Sequence, residues 1–150
     1  MERLAEFVVN HWDLFLALLI ILLMMVWGPL MRRIRDYKEI EAVDAVALMN
    51  HRDALLIDVR EEGEVKEGYI LNSLHIPLRD LGKRLDELES YRARPLIVGC
   101  RSGSRSAMAC GTLRKQQFAE VYNLRGGVMA WQSAGLPLSK PDKRRKKRKT

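Results

Sequence analysis

The sequence predicts an α/β domain, a mostly parallel sheet between two layers of helices, preceded by one transmembrane helix. Three observations carry this. Short apolar runs alternate with segments of helical period, and strands apolar throughout belong to sheets covered on both faces. Leu14–Met31 is eighteen residues long without a charge. Finally, Pro95-Leu96-Ile97-Val98-Gly99 leads directly into Cys100-Arg101-Ser102-Gly103-Ser104-Arg105-Ser106, a strand end followed by a cysteine, small residues and the start of a helix.

The first element is the membrane span. Counted from Trp12 to Met31 the run reaches about 30 Å as a helix, enough to cross a hydrocarbon core. Trp12 and Trp27 sit near its ends as interfacial anchors, and Gly28-Pro29 falls in the last turn, where a helix tolerates a break. A cleaved signal peptide does not fit. Glu2, Arg3, Glu6 and Asp13 precede the run in place of a basic region, and no small-residue cleavage site comes after it. Arg32, Arg33, Arg35 and Lys38 after the span outweigh a lone Arg3 before it. The positive-inside rule therefore places residues 1–11 outside, 32–36 as a basic linker, and the rest of the chain in the cytoplasm.

The domain expected over 37–138 begins with Tyr37–Ile40 as a strand or linker. Ala42–Asn50 comes next, with helical spacing of Val43, Val46, Ala47 and Leu48. Leu55–Val59 reads as a buried strand, Glu61–Glu67 as a short helix closed by Gly68, and Ser73–Ile76 as a strand stopped by Pro77. Leu78–Leu88 regains helical period with Leu81, Leu85 and Leu88 on one face. Pro95–Gly99 is the central strand, Ser104–Gln116 the helix after the cysteine loop, and Val121–Leu124 the last strand. Gly126-Gly127 turns the chain into Val128–Ser133, and Gly135-Leu136-Pro137 ends the domain.

The net charge of +7 comes from the end of the chain. From Ser139 onward eight Lys/Arg stand against Asp142 alone, which leaves 18 basic and 18 acidic residues elsewhere. No basic face for nucleic acid is needed on the folded part. The tail over 139–150 reads as a disordered cationic end, with anionic lipid or RNA as its candidate partners. Two cysteines make no disulfide scaffold, and His11, His51 and His75 share no metal-ligand spacing with them, so neither metal nor cofactor is implied.

The chemistry gathers at Cys100. A tight loop between a strand and a helix aims backbone N–H groups and the positive end of the helix dipole at one point. That setting favours a thiolate, which is the nucleophilic form of cysteine. The N–H groups from Arg101 to Ser106 would stabilise a sulfur anion, and Arg101 and Arg105 would hold an anionic donor by charge-assisted hydrogen bonds. Asp58 and Arg60 would brace the loop, and Cys110 is a small apolar residue on a helix face.

In order along the chain stand Asp58-Val59-Arg60, Gly68-Tyr69-Ile70, His75-Ile76-Pro77-Leu78, the Cys100–Ser106 loop, and Leu124-Arg125-Gly126-Gly127 with Trp131. Together they resemble the rhodanese-like sulfurtransferases, whose matching segments read Asp-Val-Arg, Gly-His-Ile, Asn-Ile-Pro-Leu and Gly-Gly…Trp. Tyr69 and His75 depart from that pattern, and Gln117-Phe118 stands where the family usually has Gly-Phe; all lie outside the loop. The resemblance implies a rhodanese-like three-layer α/β/α domain anchored to a bacterial inner membrane in a single pass. It implies that Cys100 takes the outer sulfur of a donor such as thiosulfate as a persulfide and passes it to a thiol or carrier protein. Four residues separate Cys100 from Arg105, whereas cysteine phosphatases resemble one another in having five, so the smaller loop favours sulfur over a phosphoryl group. A membrane-tethered binding module without turnover is the alternative from another class.

Overall fold

The computed structural model describes residues 12–33 and 36–140, with side chains in the first helix described through Met25. The expected outer segment 1–11, positions 34 and 35 of the linker, and positions 141–150 of the tail lie outside the described residues. The chain divides into two compact units, 1–35 and 36–150.

In the first unit Trp12–Arg33 forms one helix, α1, of 22 residues. All described side chains in it, 12–25, are exposed, and Asp13 alone among them is charged. That stretch covers only about 21 Å. Among the described residues no helix is long and apolar enough to cross a membrane. The remainder of the uncharged run, 26–31, carries side chains outside those described.

The second unit is built on five strands: β1 (Lys38–Ile40), β2 (Leu55–Asp58), β3 (Leu74–His75), β4 (Leu96–Gly99) and β5 (Val121–Leu124). They lie in the order β1-β5-β4-β2-β3, and every pair is parallel. The mostly parallel sheet expected from sequence is thus parallel throughout the described strands. An isolated antiparallel bridge between Tyr69 and Ser139 fastens the end of the domain beside it.

Alternation along β4 and β2 sorts the core onto two faces. Leu96, Val98, Cys100, Ile57 and Val59 join Leu81, Leu88, Ala109, Leu113 and Phe118 in one buried cluster. Ile97, Leu56 and Leu124 join Ala42, Ala45, Val128 and Trp131 in the other. The first face is covered by helix α4 (Ser104–Lys115) and two 3-10 helices; the second by α2 (Ala42–Arg52) and α5 (Gly127–Ser133). The short helix α3 (Glu62–Glu67) comes after β2.

One expected element differs. The helix predicted over Leu78–Leu88 is two 3-10 helices, Leu78–Lys83 and Leu85–Tyr91. Gly82 weakens a helix interior, and Arg84 leaves helical backbone at φ −113°, ψ 20°. Leu81 and Leu88 are still buried, so the apolar spacing reported the buried face but not the tighter winding.

Candidate active site

The sheet delivers Cys100 to the carboxyl end of its central strand, where parallel α/β folds place their sites. The sulfur continues the inward row of Leu96 and Val98, and the residue is 0% exposed. Arg101, Ser102 and Ser104 are exposed on the outer side of the loop; Gly103 and Ser106 are buried within it.

Gly103 adopts φ +99°, a left-handed conformation that favours glycine, and an added Cβ would sit tightly against the Gly126 nitrogen at 3.3 Å. Its N–H donates to Cys100 Sγ at 3.1 Å, and Ser106 Oγ stands 3.4 Å from the same sulfur. Burial pushes the thiol up. The Ser106 hydroxyl and the backbone N–H groups of Ser106, Gly103 and Ser102 outweigh it and hold the thiol below its ordinary value. Cys110 shows burial without that compensation: enclosure, with Cys100 adding to it, pushes its thiol well up.

Behind the loop, α5 supplies a support where the sequence pattern marks only a turn. Val128 N–H donates to Cys100 O at 2.8 Å and Met129 N–H to Arg101 O at 3.1 Å. Gly127 lets the chains meet this closely: at φ +58°, a Cβ there would lie 2.1 Å from Cys100 O. With those carbonyls taken from behind, the loop's N–H groups are left to face the sulfur.

The two arginines expected to hold an anion part company. Arg105 Nη1 and Nη2 donate to the two oxygens of Glu64, each at 2.7 Å. Glu64 is aimed by its place in α3, where the Glu61 N–H donates to it at 3.1 Å. Arg105 holds the Glu64 carboxyl down at about 2, and Glu64 raises Arg105 in return. The charge of Arg105 is therefore spent on a clamp between α3 and the start of α4. Among the described residues Arg101 has no such carboxylate partner. It lines a small cavity of about 160 Å³ with Glu64, Glu67, Gln132 and Met129. The exposed Ser104 hydroxyl lies 3.5 Å from that of Ser102.

Asp58 and Arg60 bind each other. The Arg60 Nη2 donates to Asp58 Oδ2 at 2.6 Å and to Gly68 O at 2.8 Å, and its backbone N–H to Asp58 Oδ1 at 3.1 Å. The pair is almost wholly enclosed. Asp58 is in register with Gly99, and Val59 N–H donates to Gly99 O, so the pair fixes the strand end next to the nucleophile. His75 Nε2 is 2.8 Å from Arg60 O, which commits that ring to the scaffold.

Asn123 reads from sequence only as part of a strand. It faces the sulfur side of β5 and donates from Nδ2 to Gly103 O at 3.2 Å, while Ser106 Oγ lies 2.6 Å from its Oδ1. A polar residue at an inward position of the short run Val-Tyr-Asn-Leu is the available signal.

The model of the rhodanese-like domain matches residues 41–134. The chain belongs to the rhodanese-like domain family. A sulfurtransferase of Allochromatium vinosum is 38% identical over 95 residues, covering 63% of this chain and 87% of that protein. The uncharacterized protein YibN of Escherichia coli is 30% identical over 142 residues, 92% of this chain and 97% of that one. Thiosulfate sulfurtransferase GlpE of Coxiella burnetii is 32% identical over 97 residues, 65% of this chain and 89% of that enzyme. Among solved structures, a rhodanese-related protein of Thermoplasma volcanium superposes with a TM-score of 0.62 at 32% identity, covering 69% of this chain and 98% of the other. The fold is thus the rhodanese-like α/β fold expected from the motifs.

Proposed function

We propose that this rhodanese-like chain moves sulfane sulfur through a persulfide on Cys100. The observation that carries the reading is a buried sulfur ringed by donors from Ser102, Gly103 and Ser106, which hold its thiol below the ordinary value. The Cys100 thiolate attacks the outer sulfur of a small anionic donor such as thiosulfate. A new S–S bond forms, the donor's own S–S bond breaks, and sulfite leaves with the bonding pair. A nucleophilic acceptor, a thiol or a carrier protein, then takes the outer sulfur and Cys100 departs as the thiolate. The loop N–H groups stabilise sulfur anions in both steps without reorganising. Arg101 pairs with the sulfonate end of the donor, and Arg105 positions the loop through Glu64. The curated relatives named sulfurtransferase and thiosulfate sulfurtransferase support the reaction class.

Mass spectrometry of the full-length protein after thiosulfate tests this. A gain of one sulfur on the Cys100 peptide, absent in Cys100→Ser, is expected. A folded protein that gains none from any sulfane donor excludes sulfur transfer and leaves the binding module.

We further infer a single-pass anchor over 12–31, with residues 1–11 outside and the domain on the cytoplasmic side of a bacterial inner membrane. Its support is the uncharged run Leu14–Met31, the exposed apolar surface of 12–25, and the arginines at 32, 33 and 35. The basic residues from Lys140 onward keep anionic lipid and RNA as their candidate partners.

A further inference from the structure

Four groups around the sulfur close a ring of hydrogen bonds. Gly103 N–H donates to Cys100 Sγ at 3.1 Å; Ser106 Oγ stands 3.4 Å from Sγ and 2.6 Å from Asn123 Oδ1; Asn123 Nδ2 donates to Gly103 O at 3.2 Å. Cys100 and Ser106 are 0% exposed and Asn123 4%, so no bulk water substitutes for a missing partner.

The ring's polarity comes from what each atom can do. Gly103 O only accepts, so the Asn123 amide turns its NH2 toward it and its oxygen toward Ser106. The serine hydroxyl has one proton and two claimants. While Cys100 is a thiol, that proton goes to Asn123 Oδ1, the nearer and better acceptor, and the S–H donates to Ser106 Oγ. Once the sulfur is a thiolate it only accepts, and Ser106 must turn its O–H toward it. Asn123 Oδ1 is then left buried without a donor, which is costly. Ionising the nucleophile therefore costs Asn123 its partner.

We propose that Asn123 is a positioning residue that acts through Ser106, withholding the hydroxyl proton from Cys100 and so setting the pH at which the nucleophile becomes a thiolate. The inference rests on the sulfur-transfer reading only in taking Cys100 as the nucleophile. Other titratable or charged groups on elements packed against the sulfur are Arg105, clamped to Glu64, with Cys110, Arg114 and Lys115 on α4; Arg101 in the loop; Asp58 at the end of β2 and Arg60, two residues beyond it, paired together; and Arg79, Asp80 and Lys83 on the first 3-10 helix. Substitutions at Ser106 and Asn123 leave all of these in place.

The test is the pH profile of iodoacetamide alkylation at Cys100, tracked peptide by peptide in the full-length protein, which needs no sulfur donor. Ser106→Ala removes the donor and moves the midpoint up, lowering the neutral-pH rate about tenfold. Asn123→Leu removes the competitor and moves the midpoint down, raising the rate on the acidic limb about threefold or more. In the Ser106→Ala background Asn123→Leu leaves the midpoint where it was. A loosened scaffold would move both single variants the same way. The proposal is overturned if Asn123→Leu raises the midpoint, or shifts it equally without Ser106. Should Asn123→Leu not fold, an unchanged midpoint in Ser106→Ala overturns it alone. Persulfide formation with no opposed shifts sinks this inference only; opposed shifts with no persulfide sink the sulfur-transfer reading only.

Discussion

At the scale of single residues, the loop separates two arginines that the sequence presents as equals. Both flank small residues next to Cys100, and nothing in their local pattern distinguishes them. The distinction arises from Glu64, forty-one positions away in sequence from Arg105. Arg101→Ala is therefore expected to lower kcat/KM for thiosulfate by about tenfold to a hundredfold, the worth of one charge-assisted hydrogen bond. Alkylation of Cys100 by the uncharged iodoacetamide would change little, and steady-state kinetics beside alkylation rates check both. The cysteine itself was legible because a nucleophilic loop is local: strand end, cysteine, small residues and helix start are contiguous. Asn123 was not, because its partners Gly103 and Ser106 come from another element and only the parallel pairing of β4 with β5 brings them together.

At the scale of elements, the active loop is held from two sides. On one side the Glu64–Arg105 pair ties α3 to α4. With the Glu64 carboxyl at about 2 when folded against an ordinary 4.5, its contribution to stability is complete above about 4.5 and is lost as the pH falls toward 2. Thermal melts of wild type and Glu64→Gln should differ near neutrality and converge over that interval. The pair is partly exposed, so the difference is modest and shrinks in salt. On the other side α5 presses on the loop through Gly127. Gly127→Ala combines a left-handed backbone with a collision against Cys100 O, and costs about 2–5 kcal/mol. Denaturant titration measures this, and the surviving folded fraction should alkylate slowly at Cys100. Apolar spacing identified the element type wherever strands and longer helices are concerned. Between Leu78 and Tyr91 it did not, since a leucine row marks a buried face whether the turn has 3.0 or 3.6 residues.

At the scale of the whole molecule, the two units call for separate tests. If the proposed span is real, full-length protein stays in the membrane pellet through alkaline carbonate washing, and a chain starting at Asp36 is released. Release of the full-length chain would remove the anchor. The parallel sheet was legible from its apolar runs, while the strand order was not: a three-residue β1 gives no hint in sequence of which neighbour it takes. That neighbour is β5, in register from Lys38–Tyr122 to Ile40–Leu124, with Arg125 N–H donating to Ile40 O and its side chain reaching Glu39 and Glu41. This pairing has a consequence for synthesis. Among the described strands, the first to leave the ribosome lies at the edge of the sheet, and its partner there is the last one made. Nearly the entire domain must emerge before that strand is hydrogen-bonded, so its completion is a late event in the life of the nascent chain. Its short length and the charges of Lys38 and Glu39 suit a strand that spends that interval unpaired, because both discourage pairing with the wrong partner.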